Sequence, residues 1–233
     1  MRRHRYCVAH TLTGRYAFGE TMEYNLSPSF KHDKIEAPSF SDLVDVFKDI
    51  WLHHLLKPAK ILLDHQHCEV AALSLLSTYF ESIECYISGA KSEGKSKKFF
   101  IQGFCRVFSS NLNGIEVAAG HFYKHVRCGL AHDAMLSHKV TFSPSSVHAI
   151  YATYRKDNKG NLILNSGVTS IVVNPHLIFS AINNHFRQYV ATLRQGEDKQ
   201  VMSNFEKTIT RVLGDQSEEL IIGVTEEEFL GKL

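Results

Sequence analysis

The sequence lacks the features of a membrane protein, of a disulfide-stabilised protein and of a general polyanion binder. No stretch approaches the about 18 uninterrupted apolar residues of a membrane span, so we expect no membrane contact. No apolar run follows the basic N-terminus, and we expect no signal peptide. The five cysteines are an odd number without a C-x-x-C pair, which indicates reduced thiols and a cytoplasmic location. The net charge of +2 leaves nucleic-acid contact to a local patch.

The composition is that of an ordinary globular protein in which helices dominate. Hydrophobic residues make up 44% of the chain and charged residues 21%. A chain of this length buries about 70% of its unfolded surface, so folding requires no metal or cofactor and we expect none. Helical spacing of apolar residues predicts helices over about 39–57, 61–87, 95–109, 114–135 and 198–213, and one that begins at Asn174.

Local signals mark several helix ends. Ser39 and Asp42 have the spacing of a capping box, and Pro58 is expected to end or kink the helix that follows them. Gly89 is a natural C-terminal cap for the second helix. Asn174 followed by Pro175 is typical of a helix start.

Alternating apolar and polar residues replace the helical pattern over about 139–173. The alternation from Val140 to Tyr154, turn residues over 157–161 and a strand-like run over 168–173 predict a small antiparallel sheet. We expect it to pack on the helices through Phe142, Ile150 and Tyr154. The fold class is therefore mainly α, a helical bundle with a small antiparallel β insertion.

Three parts follow from this pattern. Residues 1–38 show no regular period and are interpreted as an N-terminal extension, and residues 39–213 form the helical domain with its β insertion. Residues 214–233 form an acidic C-terminal tail, in which a capping box at Thr225 opens a short helix.

The segment Y-K-H-V-R-C-G-L-A-H-D, residues 123–133, holds an Arg-x4-His pair, Arg127 and His132. A guanidinium is always charged, and its fork of donors fits the oxygens of a pentavalent phosphorane. An imidazole exchanges protons near neutral pH. The pair therefore suits metal-independent cleavage of a phosphodiester. Arg5 and His10 have the same spacing in the N-terminal extension, so the spacing alone is not diagnostic.

The setting of the second copy adds information. It lies late in an amphipathic helix, after other helices and before one that returns, and this order resembles the HEPN superfamily of all-α domains. The resemblance covers about residues 41–196 and implies a HEPN-like bundle with defence or toxin-like relatives. In ribonuclease members two protomers pair so that both motifs share one cleft, which implies a homodimer here. Arg127 would then bind the scissile phosphate and His132 would be the acid/base residue.

Two residues depart from the family pattern. Cys128 follows the arginine where active members commonly have Asn, Asp or His, and Ala134 stands where one subgroup that works with nucleotidyltransferase antitoxins has Tyr. The function expected is a metal-independent endoribonuclease. The alternative is a non-catalytic RNA-binding or protein-interaction module on the same bundle.

A structural interpretation of the pair also stands. Arg127 can pair with Glu81 or Glu84, and His132 can cap the helix end. On an ideal helix, residues five apart are separated by about 140° and about 7.5 Å, so the pair converges poorly unless the helix loosens at Gly129 or two chains meet.

Two further groups of basic residues are candidates. Lys91, Lys95, Lys97 and Lys98 surround one acidic residue, and we predict that they contact RNA. His121, His125 and His132 fall near one helix face, but there is no H-E-x-x-H and no cysteine pair, so no metal site is predicted. Phe99 and Phe100 beside the lysines are expected in the core.

Overall fold

The computed structural model describes residues 25–109 and 114–214, and these residues form a mainly helical structure with two small sheets. The helices are α1 (Phe40–Trp51), α2 (Lys57–Leu63), α3 (Glu69–Ser88), α4 (Ser96–Val107), α5 (Ile115–Phe122), α6 (Cys128–Asp133), α7 (Pro175–Gln195) and α8 (Lys199–Leu213). The strands are β1 (Asn25–Ser27), β2 (Phe30–Lys31), β3 (Val140–Phe142), β4 (Ile150–Thr153) and β5 (Ser170–Val173). None of the described helices is both long and apolar enough to span a bilayer.

The start of α1 is set by the predicted capping box, which is confirmed. Ser39 Oγ accepts the Asp42 N–H at 3.2 Å, and the Asp42 carboxylate accepts the Ser39 N–H at 2.9 Å. The helix does not end at Pro58. It widens into a π-helical turn, Leu52–Leu56, and continues as α2. A proline ring clashes with the carbonyl four residues before it in a regular α-helix, and the wider turn changes that spacing.

The predicted helix over 61–87 is wrong as one element. The helix is interrupted between Leu63 and Glu69, where His67 has φ 65°. No Gly or Pro marks this interruption in the sequence. The second part, α3, is the central helix of the bundle, and Gly89 ends it at φ 69° as predicted. Residues from α1, α3, α4, α7 and α8 form one hydrophobic core.

The contact between α3 and α4 depends on Gly103. A Cβ atom at this position would lie 1.9 Å from the Phe80 carbonyl oxygen, so only glycine allows this approach of the two helices. The approach packs the Phe80 ring 5.2 Å from the Phe100 ring and 5.1 Å from the Phe104 ring, centroid to centroid. Phe99 and Phe100 are both buried, which confirms their placement in the core.

The sheet of β3, β4 and β5 is mixed. The antiparallel prediction is correct for β4 and β5, where Ile150 pairs with Val173, and wrong for β3, which runs parallel to β5 with Val140 opposite Ile171. Alternation along a strand indicates its two faces but not its neighbour, and β5 lies between β3 and β4.

The sheet packs on the helices through other residues than expected. Ile171 and Val173 are fully buried, and Ile150 lies partly buried against the core. Phe142 is 40% exposed, so its predicted packing role is wrong. The predicted turn is confirmed, because Asp157 Oδ1 accepts the backbone N–H groups of Lys159 and Asn161, each at 2.8 Å.

Two polar side chains hold neighbouring segments against the helices by hydrogen bonds. Asn174 caps α7 by accepting the His176 N–H at 3.0 Å, and its amide donates to Pro144 and Ser146 carbonyls in the chain before β4. Asp49 of α1 accepts the Ser27 hydroxyl at 2.6 Å and the Ser29 N–H at 2.9 Å. Part of the segment interpreted as an N-terminal extension therefore packs on the bundle. The Arg5 and His10 copy of the spacing and the predicted helix at Thr225 lie outside the described residues.

Candidate functional site

Arg127 and His132 lie on one continuous helix that contains a π-helical turn. The turn spans Tyr123–Arg127 between α5 and α6, and the Cys128 N–H donates to the Tyr123 carbonyl five residues earlier. The helix thus loosens before Cys128 and not at Gly129, which lies within α6. From Arg127 onward the helix is regular, so the two side chains stay about 140° apart and do not converge within one chain.

Arg127 has two partners, one on its own helix and one on α3. Its Nη2 lies 3.6 Å from Glu81 Oε2, and its guanidinium carbon lies 5.8 Å from the centre of the Tyr123 ring. The side chain is 32% exposed. Pairing with Glu81, one of the two carboxylates considered from the sequence, is therefore confirmed.

Glu84, the other carboxylate, is buried and has a different partner. Arg106 binds it with two guanidinium nitrogens, and the Nη2 to Oε1 distance is 3.1 Å. A bidentate arginine satisfies a buried carboxylate well, so this pair serves the packing of α3 against α4.

Ser96, the first residue of α4, links Glu81 to Tyr123. Its Oγ donates to Glu81 Oε2 at 2.5 Å and accepts the Tyr123 hydroxyl at 3.3 Å. Glu81 Oε2 is thus shared by the hydroxyl of one helix and the guanidinium of another. This network brings the start of α4 to the π-helical turn that holds Arg127.

Three of the four predicted lysines flank Ser96. Lys95, Lys97 and Lys98 are exposed, and none makes an ion pair or side-chain hydrogen bond within the described part of the chain. We refer to these three lysines, together with Arg127, which is linked to Ser96 through Glu81 and Tyr123, as the basic surface. Lys91 is exposed as well, but it lines a cavity formed by α1, α3 and α8 and does not belong to this surface.

His132 is exposed near the C-terminal end of α6 and has no hydrogen-bond or ion-pair partner among the described residues. The helix ends instead at Ala134, which has φ 53° and whose N–H points back to the Gly129 carbonyl. The interpretation of His132 as a helix cap is therefore wrong. Its imidazole is free to meet a ligand or a second chain.

His121 and His125 lie next to each other on the same helix, with ring centroids 5.5 Å apart. Burial lowers the pKa of both, and the charges of neighbouring basic groups, Lys124 and Lys139 among them, lower it further. No group of three or more His, Cys, Asp or Glu in residues 25–109 and 114–214 is arranged to hold a metal ion.

A second polar cluster inside the bundle carries no sequence signal. The Tyr79 hydroxyl and His185 Nδ1 lie 2.7 Å apart between α3 and α7, and burial, together with the charge of Arg106, lowers the pKa of His185 to about 4. The Tyr189 hydroxyl is buried without a partner, and burial raises its pKa. A neutral imidazole that accepts a hydrogen bond from the Tyr79 hydroxyl accounts for this arrangement as a structural one.

Sequence reasoning missed Ser96, Glu81 as a shared acceptor and Tyr123. A serine between lysines at a predicted helix start was the one available signal for Ser96. Comparisons with protein families, with curated proteins and with solved structures gave no match.

Proposed function

We propose that this protein binds RNA through the basic surface of Lys95, Lys97, Lys98 and Arg127. The observation that carries the proposal is the network at Ser96, which donates to Glu81, the partner of Arg127, and accepts the Tyr123 hydroxyl, so that the start of α4 is linked to the helix of Arg127. Cations from two segments some 30 positions apart in sequence thereby contribute to one surface. Phosphate contacts by lysine and arginine supply most of the affinity in non-specific RNA binding.

Glu81 is the local acidic group that an RNA phosphate has to displace from Arg127. The distance of 3.6 Å from Arg127 Nη2 to Glu81 Oε2 is long for a charge-assisted hydrogen bond, and the Arg127 side chain is partly exposed to water. The planar fork of arginine binds two phosphate oxygens at once, which a single contact to Glu81 does not match. The Tyr123 ring beside the guanidinium offers a face on which a base stacks.

A second candidate function is metal-independent cleavage of RNA in a HEPN-like homodimer. The observation that favours it is the exposed and unpartnered imidazole of His132 on the helix of Arg127. Because the two side chains of one helix diverge, a cleft needs Arg127 of one protomer and His132 of the other. In that cleft His132 moves the proton of the 2′-hydroxyl or of the leaving oxygen, and Arg127 stabilises the phosphorane.

Binding is tested with Lys97→Met/Lys98→Met on the full chain. We expect the slope of log affinity against log salt for a mixed-sequence single-stranded RNA to fall by about 1.4, because two phosphate contacts are lost. Fluorescence anisotropy at several salt concentrations measures it. Lys156→Met/Lys159→Met, two exposed lysines after β4 without a side-chain partner among the described residues, is the matched control and leaves the slope unchanged. RNA binding with the same salt slope in both variants would contradict the proposal.

Cleavage is tested on the same RNA in EDTA. His132→Ala is expected to abolish cleavage without changing RNA affinity or the thermal midpoint, since the imidazole has no structural partner. Arg127→Lys is expected to impair both binding and cleavage, because lysine lacks the planar fork. Arg5→Ala/His10→Ala repeats the spacing elsewhere and is the control. Wild-type protein that binds RNA but cleaves none of many sequences would remove the second candidate and leave the first.

A further inference from the structure

A cavity of about 620 Å³ lies between α1, α3 and α8, and none of the residues that line it belongs to the basic surface. Its lining is mostly apolar. The aromatic rings and aliphatic side chains in the lining include Trp51, Tyr79, Tyr86, Ile50, Leu75 and Val212. The rings belong to the packed core, whereas Val212 is 60% exposed. Small-molecule sites have volumes of about 300–1,000 Å³ and this kind of apolar lining.

Two cations line this cavity without a carboxylate partner among the described residues. Arg211 of α8 has one contact, to the Ala90 carbonyl at 3.5 Å, and Lys91 has none within the described residues. Glu93 also lines the cavity, but it forms no ion pair with either of them in the part of the chain that the structure describes. A guanidinium beside apolar walls and without a carboxylate partner is complementary to an anionic head group.

We propose that this cavity binds a small amphipathic carboxylate, an aliphatic chain of fatty-acid type, with its tail on Trp51 and its head group at Arg211 and Lys91. The aliphatic tail buries the exposed part of Val212 and the accessible edges of the aromatic rings that line the cavity. This burial of apolar surface supplies the affinity. The two cations supply the preference for a carboxylate over a neutral or cationic head group. The site is independent of the RNA proposal, because it shares no residue with the basic surface.

The chain contains one tryptophan, and it lines this cavity, so its fluorescence reports occupancy directly. The full chain is titrated with dodecanoate below its micellar concentration, and in parallel with dodecanol and dodecyltrimethylammonium. We expect a saturable change of Trp51 fluorescence with dodecanoate and binding of the ammonium compound at least about tenfold weaker. The proposal would be overturned by the absence of a saturable change with dodecanoate. Equal affinity for dodecanoate and dodecyltrimethylammonium would overturn it as well.

Variants separate the head-group site from the apolar walls. Lys91→Met/Arg211→Met is expected to weaken dodecanoate binding about tenfold and to leave dodecanol binding unchanged. Ser82→Phe fills the cavity from α3 and is expected to abolish both, with folding checked by circular dichroism. Lys97→Met/Lys98→Met is the matched control, because these lysines lie outside the cavity, and it keeps wild-type affinity. Wild-type dodecanoate affinity in Lys91→Met/Arg211→Met would overturn the proposal, whatever the outcome for Ser82→Phe.

Discussion

Glu81 Oε2 accepts a short hydrogen bond from Ser96 at 2.5 Å and has Arg127 at 3.6 Å. The serine is therefore the stronger partner, and Arg127 is held loosely. Ion pairs this exposed contribute about 0–1 kcal/mol to stability. Exchanging Glu81 for a phosphate costs the fold little, which is why Arg127 suits a ligand-binding role better than Arg106, whose two nitrogens hold a buried carboxylate.

His185 makes the stability of the fold depend on pH. Its pKa is lowered to about 4 in the folded chain, against an ordinary value of 6.5, because burial disfavours the charged form. The unfolded chain therefore binds more protons below pH 6.5, and stability is lost as the pH falls from 6.5 towards 4. We expect a loss of about 1–2 kcal/mol from this group at pH 5, since His185 keeps part of its surface in water. Urea unfolding at pH 7 and pH 5 measures it.

The comparison variant is His185→Asn. An asparagine side chain retains an acceptor for the Tyr79 hydroxyl but does not titrate. Its stability is expected to fall less between pH 7 and pH 5 than that of the wild type. Equal losses in the two proteins would show that other titrating groups, and not His185, cause the acid sensitivity.

The sequence predicts those residues of the site that can be recognised within one continuous segment, but not the contacts between segments. Arg127 and His132 are visible as a pair, and the exposure of Lys95, Lys97 and Lys98 follows from Phe99 and Phe100 taking the buried face. Ser96 and Tyr123 were not predictable as partners. Their contact depends on how α4 is rotated against the π-helical turn, and a periodic pattern does not contain that angle.

Among the helices and strands, local chemistry was predictable and changes of geometry were not. The caps at Ser39, Asn174 and Gly89 each satisfy backbone groups within a few residues, so the sequence signal is complete there. The break between α2 and α3 depends on a left-handed His67, and the parallel pairing of β3 depends on β5, which follows it by some 30 residues. Neither is encoded near the position where it occurs.

The approach of α3 and α4 predicts opposite effects for two glycine substitutions. Gly103→Ala would place a Cβ atom 1.9 Å from the Phe80 carbonyl oxygen, so the helices have to separate and the free energy of unfolding falls by about 3 kcal/mol. Gly120→Ala in α5 meets nothing within 4 Å and is expected to gain about 0.5–1 kcal/mol from helix propensity. Urea unfolding of both variants at pH 7 tests this. A Gly103→Ala variant as stable as the wild type would contradict the close contact.

For the whole molecule, the second candidate function requires that two chains build one cleft. Arg127→Lys and His132→Ala are each expected to retain little or no cleavage activity alone. After unfolding and refolding of an equal mixture, half of the dimers contain one chain of each kind, and each of these has one intact cleft of two. We expect about a quarter of wild-type cleavage activity to return.

Light scattering establishes the dimer before this mixing experiment. A monomer at micromolar concentration, or a dimer whose mixed variants stay inactive, would contradict a shared cleft. Mixing two preparations of the His132→Ala variant is the control, and it recovers no activity.

The π-helical turn at Tyr123–Arg127 carries one residue more than a regular turn of the same helix. The wide turn uses this extra residue to complete about the same rotation as a regular turn. Shortening the chain by one residue within it would therefore restore a regular α-helix and leave His132 in nearly its present direction relative to α5. In a lineage of such chains, gain or loss of a single codon at this turn would change the local winding of the helix without turning the histidine away from its present direction.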